Sequence, residues 1–534
     1  MFKPRLHKGL IIGLTAVLSL SLLVSGCGTK TSAPAANTPA ANTVQKQGNS
    51  MTVAVQDNFI SLDPHDTNDT LSFSAEKTML EGLIGFDKDM KMVPILATDW
   101  QSNPAATEFT FHLRKDVKFS DGTPFNAEAV KVNVDRLADP KSTLKRHSLF
   151  ALVTKTDVID EYTVKVTLKE PFGAMFNNFA HPAAMMISPK ALKDYGKDVS
   201  KHPVGTGQYV FKEWVQGDHL TVVKNPNYWQ KGQPKLDGIT FKSVPENGSR
   251  IAMLKTGEAD FIYPVPTEEA KTIDGQNGIV IDHKPSIIVD YISLNTLKKP
   301  FDNPKVREAL NLAVDKDAFI KVVYNGFAGP LTSIVAPNVQ FFSAQTPYPY
   351  DVAKAKALLK EAGYADGFET TLWSNNNSTY IKATQFLQQQ LSLVGIKVKI
   401  ENMEAATMAD KIWTVKKPED ATIQMYFGGW SPSTGDADWG IRPLLGTDQI
   451  PPAGYNTAYY MNADADKEIQ NAIKTADFAQ RKAAYDKVQA KIWTDAPWVF
   501  LDTRETISGS RNYIKGAYLL PDGALSVQDA EIVK

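Results

Sequence analysis

The chain contains one cysteine, Cys27, among its 534 residues. A single thiol cannot form an intrachain disulfide, so the hydrophobic core must stabilise the fold. Strong charge of either sign is also missing, because the formal net charge is −1. Nucleic-acid binding calls for a basic stripe, so we expect no nucleic-acid partner. Downstream of Cys27, no apolar run reaches the roughly 20 residues of a membrane span.

Sequence motifs of catalysis are missing as well. The chain has no Gly-x-x-x-x-Gly-Lys-Ser/Thr phosphate loop and no His-Glu-x-x-His zinc motif, and no Gly-x-Ser-x-Gly elbow follows Cys27. Its eight histidines are scattered without metal-ligand spacing. We therefore predict no catalytic residue, no metal site and no cofactor, and we expect a binding protein rather than an enzyme.

The N-terminus has the layout of an export signal. A basic head (1–8) precedes an apolar run (10–24), and the small residues before Cys27 form a cleavage site. This ending resembles the lipobox of bacterial lipoproteins, which implies that residues 1–26 are removed and that Cys27 is lipidated. The alternative is a plain secreted protein that is cut nearby. Residues 27–50 are rich in Thr, Ser, Ala, Asn, Pro and Gln, which predicts a flexible tether.

Strand and helix signals alternate along the body. Residues 51–55, 109–113 and 162–168 have strand-like patterns, and 126–134 has a helical pattern. In the second half, Asn303-Pro304 and Asp351 are helix-start signals. A strand (368–373), a helix ended by Gly395 and a second strand (396–400) form a β-α-β unit. The expected fold class is α/β.

The β-α-β unit predicts where a ligand binds. In open α/β sheets, ligands lie beyond the carboxyl ends of the strands. Trp373, Asn375 and Ser378 follow the first strand of the unit and are candidate contacts. The alternative is a polar turn with Ser378 as the helix N-cap, and both can hold at once.

Four blocks, in order along the chain, resemble the large solute-binding proteins of peptide, nickel and glutathione ABC importers. They are residues 111–125, residues 203–209 with 225–229, residues 300–310, and residues 429–430 with 435–438. Segments 348–396, 426–445, 497–498 and 518–523 are most similar to the glutathione-binding branch of that family. The resemblance extends from about residue 51 to the C-terminus.

The resemblance implies a periplasmic-binding-protein-like fold with two lobes, a hinge and a ligand between the lobes. Lobe I is expected to comprise residues 51–285 and 504–534, with an extra subdomain at about 93–202. Lobe II is expected to comprise residues 286–503.

The same resemblance implies charged ligand contacts. Arg146 matches a carboxylate-binding arginine of the nickel-chelate receptors, and Asp436 matches an aspartate that holds a peptide ammonium. Asp438 is retained beside it, but Ala437 replaces the proline of the dipeptide receptors and leaves the backbone angle open. The alternatives are a solvated basic turn for Arg146 and a helix cap for the two acids.

Aromatic side chains are candidate walls of the cleft, because such clefts are mostly apolar with a few polar groups. The candidates are Trp373, Tyr426, Trp430 and Trp439, and each alone is also a plausible core residue. Asn58 and Phe59, after the first strand, are weaker candidates.

The sequence therefore predicts a monomeric, lipid-anchored receptor that binds glutathione or a similar short peptide for an ABC permease. The expected location is the outer face of the cytoplasmic membrane of a Gram-positive cell, and the alternative is the periplasmic side of that membrane in a Gram-negative cell. A general di- or oligopeptide receptor or a nickel-chelate receptor of the same family stays open. A surface lipoprotein that senses peptides is the alternative of another class.

Overall fold

The structure is a computed structural model that describes residues 48–533, all within one compact unit. The predicted signal peptide, Cys27 and nearly all of the predicted tether lie outside the described residues. The strands are β1 (Ser50–Val55), β2 (Ile84–Phe86), β3 (Met92–Pro94), β4 (Ala97–Ser102), β5 (Glu108–Leu113), β6 (Val153–Asp160), β7 (Thr163–Leu168), β8 (Tyr209–Val215), β9 (His219–Lys224), β10 (Gly238–Ser243), β11 (Phe261–Tyr263), β12 (Ile279–Leu294), β13 (Ala328–Pro330), β14 (Glu369–Asn375), β15 (Lys397–Met403), β16 (Met425–Trp430), β17 (Trp498–Arg511), β18 (Ile514–Lys515), β19 (Tyr518–Leu519), β20 (Leu525–Ser526) and β21 (Glu531–Ile532).

Fourteen α-helices accompany these strands within residues 48–533. They are α1 (Thr70–Met79), α2 (Ala127–Ala138), α3 (Met175–Ala180), α4 (Pro189–Tyr195), α5 (Asn247–Thr256), α6 (Thr267–Ile273), α7 (Pro304–Ala313), α8 (Lys316–Tyr324), α9 (Val352–Glu361), α10 (Ser378–Ser392), α11 (Ala405–Trp413), α12 (Ala437–Leu445), α13 (Ala463–Ile473) and α14 (Phe478–Asp495). None of the described helices is long and apolar enough to cross a membrane.

One mixed sheet runs through the molecule. Its order is β15-β14-β16-β12-β17-β11-β1-β10-β9-β8, and β13 adds to β17. The central pair, β12 and β17, is antiparallel and unusually long, at 16 and 14 residues. Its register shifts twice, between Pro285 and Val289 and between Asp290 and Tyr291. Such bulges bend and twist a strand pair, so the sheet changes direction here.

The hydrophobic core separates along the same pair of strands. Three buried clusters draw on residues 51–279 and 507–530, and three draw on residues 287–501. Among the buried members of these clusters within residues 48–533, only Met90 and Phe327 belong to a cluster of the other group, while the partly buried Phe86, Trp439, Ile473 and Ala476 pack across the interface between the groups. The protein therefore has two lobes, and β12 and β17 form the hinge between them. We call residues 48–285 and 504–533 lobe I and residues 286–503 lobe II, with bounds that stay a prediction.

A second sheet, β4-β5-β7-β6, lies within the segment predicted as a subdomain of lobe I. Strand β5 alternates half-buried and buried residues, and Phe109, Phe111 and Leu113 point into the core. Helix α2 begins at Asn126, whose side chain accepts the Ala129 N–H. Its buried face packs in the same cluster, so one apolar core joins the helix and the sheet.

The predicted β-α-β unit is present in lobe II. Strands β14 and β15 pair in parallel from Glu369↔Lys397 to Asn375↔Met403, with α10 between them in the chain. The N-cap of α10 is Asn377, whose side chain accepts the Tyr380 N–H, so the prediction of Ser378 as the cap is wrong by one residue. Asn303 and Asp351 cap α7 and α9 as predicted. At the predicted end of the tether, Ser50 already belongs to β1.

Candidate ligand-binding site

A cavity of about 860 Å³ lies between the lobes at the hinge. Sites for small ligands occupy about 300–1,000 Å³, so a short peptide is within its capacity. Lobe I contributes Thr70, Leu71 and Asp522, and lobe II contributes residues 375 and 377–380. Since both lobes line it, a molecule bound there would contact both and favour their closure.

The loop after β14 reaches this cavity as predicted. Asn375 and Ser378 line it, at the carboxyl end of the strand and at the start of α10. Asn375 Oδ1 is buried and has no hydrogen-bond partner among the described residues. Trp373 does not reach the cavity, because it is 4% exposed and packs in a core cluster with Met408 and Ile412.

The floor of the cavity is charged. Arg504 of β17 lines it and donates from Nε and Nη2 to the two oxygens of Asp290 on β12, both at 2.6 Å. Tyr324 adds a hydrogen bond to Asp290 at 2.6 Å. Asp502 lies opposite Asp290 in the ladder, and burial together with the Asp290 carboxylate raises its pKa well above the ordinary value. The hinge bulge thus carries one arginine and two buried acids.

Arg146 is not among the residues that line the interlobe cavity, and part of its guanidinium has no hydrogen-bond partner among the described residues. Its Nε donates to the Thr67 carbonyl at 2.7 Å, and its guanidinium covers the Phe73 ring at 5.3 Å. The terminal nitrogens have no hydrogen-bond partner among the described residues. Burial lowers the pKa of Arg146, while Glu76, Asp69 and the Tyr455 phenol of lobe II raise it. The Phe73 ring also packs edge-on against His181 at 5.4 Å.

The two lobes also touch away from the hinge. His181 Nε2 lies 3.1 Å from Ser433 Oγ, Asn177 Nδ2 donates to the Thr434 carbonyl at 3.1 Å, and Gly173 N–H donates to the Ile473 carbonyl at 2.7 Å. We call these six residues the latch. They hold the lobes in a closed arrangement, which is the state that such receptors adopt around a ligand.

His181 is neutral in the latch, and its tautomer follows from its neighbours. Burial lowers its pKa well below the ordinary value, and the nearby cations Arg146 and Lys77 lower it further. Its Nδ1 accepts the Ala183 N–H at 2.9 Å, so the proton is assigned to Nε2. His181 therefore donates to Ser433 across the interface.

Asp436 and Asp438 have structural partners. Asp436 is fully buried and caps α12 by accepting the Asp438 N–H at 2.8 Å, and Arg481 donates to the same oxygen, Oδ1, at 3.0 Å. Asp438 forms a two-bond pair with Arg442 at 2.8 and 2.7 Å. The helix-cap alternative is therefore what the structure shows. A ligand contact of either acid stays a prediction that this geometry does not favour.

Of the aromatic candidates, Trp430 and Trp439 lie together at the interface. Trp430 Nε1 donates to the Trp439 carbonyl at 2.7 Å, and the Trp430 ring is 5.3 Å from that of Tyr455. Trp439 also packs against the core of lobe I. Tyr426 is half-buried and packs against the cluster that holds Trp373, so it belongs with that core.

The two candidates after β1 have different surroundings. Phe59 is 2% exposed and packs edge-on against Phe241 at 5.6 Å in the core of lobe I. It is a core residue. Asn58 is exposed, and the neighbouring residue that lines the cavity is Gln56.

Sequence reasoning missed the residues that only the fold brings together. Arg504 and Tyr380 of the floor, His181 and Ser433 of the latch, and Lys77 beside Asp522 are the main ones. Segment 518–523 was recognised only as a resemblance, although its Asp522 lines the cavity. None of these residues forms a local motif, so no sequence signal marked them.

Among residues 48–533, no cluster of three or more His, Cys, Asp or Glu side chains could hold a metal ion. The charged groups of the cleft are instead suited to hydrogen bonds and ion pairs with an organic ligand.

The geometry of two lobes closing on a cavity defines a solute-binding protein, and the comparisons agree. Residues 91–451 match the family "Bacterial extracellular solute-binding proteins, family 5 Middle". The glutathione-binding protein GsiB of Pectobacterium atrosepticum is 47% identical over 483 residues, which cover 90% of this chain and 94% of that protein. The chain belongs to family 5 of the bacterial extracellular solute-binding proteins. It is a binding protein and not an enzyme.

Solved structures of relatives have the same fold. DppA of Helicobacter pylori, an ABC transporter-associated periplasmic binding protein in complex with the peptide STSA, has a TM-score of 0.75 at 27% identity and covers 91% of this chain and 98% of its own. HbpA2 of Haemophilus parasuis has a TM-score of 0.81 at 25% identity and covers 91% of this chain and 100% of its own. The predicted family and the two-lobed α/β fold are confirmed.

Proposed function

We propose that this protein is the receptor of an ABC importer and captures glutathione between its lobes. The observation that carries the proposal is the cavity lined by both lobes, with the latch holding them closed. The relative named as a glutathione-binding protein, at 47% identity, supports the choice of ligand. Lipidation of Cys27 would hold the receptor at the outer face of the membrane, beside the permease, and the protein would act as a monomer.

The charges of the cleft support a ligand of this kind. Glutathione has two carboxylates and one ammonium at neutral pH, and each charge needs a partner in a cleft that excludes water. Arginine binds carboxylates through its planar fork. The unoccupied nitrogens of Arg146 can take one carboxylate, and we assign this role to them.

Closure supplies the signal for transport. A ligand that touches both lobes stabilises the closed form by its differential affinity for that form. Asn375 and Ser378 on lobe II and Thr70 on lobe I would provide polar contacts from the two sides. The permease would then recognise the closed receptor.

The test is calorimetric titration of the purified protein with reduced glutathione, oxidised glutathione, a mixed dipeptide pool and a nickel–histidine complex. Preferred binding of either form of glutathione is the expected result and would identify the form that is transported. Binding of dipeptides or of the nickel complex, with no response to glutathione, would contradict the proposed ligand and favour the other receptors of the family.

Arg146→Met tests the assigned contact, and Lys145→Met is its matched control. Loss of a buried charge partner costs on the order of 2–5 kcal/mol, so glutathione affinity should fall by at least about 30-fold in Arg146→Met. Lys145 is the exposed neighbour and should leave affinity unchanged. Equal behaviour of the two variants would instead support a solvated basic turn.

A further inference from the structure

A second cavity, of about 470 Å³, lies within lobe I. It is bounded by α1, by the hairpin of β2 and β3, and by the turn between β19 and β20. Phe86, Ile95 and Leu520 give it apolar walls, and His181 of the latch also lines it. Asp522 lines both this cavity and the interlobe cavity, so the two meet at that side chain.

Most charged groups around the lobe I cavity are already occupied. The Glu81 carboxylate accepts hydrogen bonds from Tyr228, Trp229 and Thr206 at 2.7 to 2.9 Å. Arg114 donates to the Ile95 carbonyl at 2.5 Å and covers the Trp229 ring. Glu81 therefore has little capacity left for a ligand, whereas the terminal nitrogens of Arg114 have no hydrogen-bond partner among the described residues.

Two further charged side chains of this cavity, Lys77 and Asp522, also keep free capacity. Lys77 of α1 has no hydrogen bond, ion pair or ring contact with any described residue, although burial lowers the pKa of its ammonium and the Asp522 carboxylate raises it. Asp522 accepts the Ala524 N–H on Oδ1 at 2.9 Å, and its Oδ2 has no partner among the described residues. The two groups interact electrostatically without forming an ion pair within 4.0 Å.

The positions of these two groups are fixed by the fold. The turn that carries Asp522 is tied to α1 by a hydrogen bond from the Leu525 N–H to Ser74 Oγ at 2.9 Å. Ser74 and Lys77 are three residues apart and share one face of α1. Lys77 and Asp522 therefore line one wall of the cavity.

We propose that Lys77 and Asp522 form a subsite for the free α-amino-acid head of a γ-glutamyl peptide. This head has an ammonium and a carboxylate on the same carbon, so its two charges match one cation and one anion placed side by side. An ordinary α-linked peptide has only the ammonium there, because its α-carboxyl group is part of the peptide bond. The inference rests on the proposed function and names the ligand class that the receptor selects.

The subsite completes the charge pairing of a tripeptide ligand. Arg146 takes the carboxylate at the glycine end, and Lys77 takes the carboxylate of the γ-glutamyl head. Phe73 connects the two cations, because Arg146 covers its ring at 5.3 Å and the same ring packs edge-on against His181, which lines the lobe I cavity together with Lys77. Burial of a lysine ammonium without a partner costs desolvation free energy. A bound ligand carboxylate offsets this cost.

The test compares glutathione with its isomer in which glutamate is linked through the α-carboxyl group. Both peptides have the same composition and net charge, so they differ only in the head. Calorimetric titration with a reductant present would be carried out on the wild type, Lys77→Met and Asp522→Asn. Lys193→Met, an exposed lysine of lobe I, is the matched control.

We expect the wild type and Lys193→Met to prefer glutathione over the isomer by at least about 30-fold, as for a buried charge pair. Lys77→Met and Asp522→Asn should each lose that preference, with the isomer's affinity changed less than about threefold. Thermal unfolding of each variant verifies that it is folded.

Two results would overturn the proposal. If both variants keep the preference, or lose affinity for both isomers equally, the subsite is elsewhere while the receptor function stands. If the wild type binds neither isomer, the proposed function fails together with the inference.

Discussion

Gly173→Ala is expected to weaken ligand binding by opposing closure of the lobes. Gly173 belongs to lobe I, and a Cβ built on it would lie 1.9 Å from the Thr475 carbonyl oxygen of lobe II. A neighbouring atom must shift at any approach under 3.0 Å, so the contact between the lobes at Gly173 and Thr475 must open or rearrange. The substitution would also strain the hydrogen bond from Gly173 N–H to the Ile473 carbonyl, which is 2.7 Å long.

The cost falls on the closed form alone, because Gly173 and Thr475 meet only when the lobes touch. Overpacking of a tight contact costs about 1–3 kcal/mol, and loss of the hydrogen bond about 0.5–1.5 kcal/mol. A combined loss of about 2–3 kcal/mol corresponds to a roughly 30- to 150-fold rise in Kd. The stability of each lobe should be unaffected.

The assay is calorimetric titration of ligand, with small-angle X-ray scattering to follow closure. Gly248→Ala is the matched control, since a Cβ at Gly248 meets no atom within 4 Å and the residue lies in helix α5. Wild-type affinity in Gly173→Ala would refute the reasoning, because the latch would then be absent from the ligand-bound form. A drop in both glycine variants would point to a general effect on folding.

Three further outcomes are expected. Arg504→Met should lower the free energy of unfolding by about 3 kcal/mol in urea denaturation, because it leaves the fully buried Asp290 without its cation. Lys397→Met breaks an exposed ion pair and should change the free energy of unfolding by less than about 1 kcal/mol. Similar values for the two variants would contradict this prediction. Burial and the nearby Asp63 and Asp69 raise the pKa of Glu76 in the folded protein above its ordinary value of about 4.5. The folded state therefore favours the protonated carboxyl group, and the protein loses stability as the pH rises above about 4.5, where Glu76 ionises in the unfolded chain. Glu76→Gln should therefore gain stability relative to the wild type by up to about 1.4 kcal/mol per pH unit above that point, and a constant difference in urea unfolding from pH 4.5 to 8 would oppose this. Cys27→Ser should move the protein from the membrane fraction of cells to the soluble fraction, or leave it unprocessed, as followed by immunoblotting; unchanged membrane attachment would exclude the lipid anchor.

Local patterns were sufficient wherever the structure depends on near neighbours in the chain. Asn303 and Asp351 cap helices because their side chains reach backbone N–H groups two or three residues away, which any chain with that pattern can achieve. The alternation of Phe109, Phe111 and Leu113 determines which face of β5 is buried. The strand-helix-strand pattern of residues 368–400 also lies in one continuous segment of the chain, and it predicts that its two strands pair in parallel.

The candidate site was predicted in part. Asn375 and Ser378 line the interlobe cavity. Their position could be predicted because ligands in open α/β sheets bind beyond the carboxyl ends of the strands. Asp436 and Asp438 were predicted to contact the ligand, yet each pairs with an arginine. Asp436 pairs with Arg481, which is distant in the chain, and Asp438 pairs with Arg442, which is four residues away. A carboxylate in a sequence has no visible partner, so its role could not be decided there.

Patterns among near neighbours in the chain indicated the helices and strands named above and, through a predicted export signal, a predicted compartment, while motif blocks spread along the chain indicated the family. Which side chains meet depends on the tertiary structure. Arg504 and Asp290 are separated by 214 residues and His181 and Ser433 by 252, and Lys77 lies beside the distant Asp522. The latch joins segments that the packing of the two lobes brings within hydrogen-bonding range, and the proposed Lys77–Asp522 subsite joins two distant segments that fold together within lobe I.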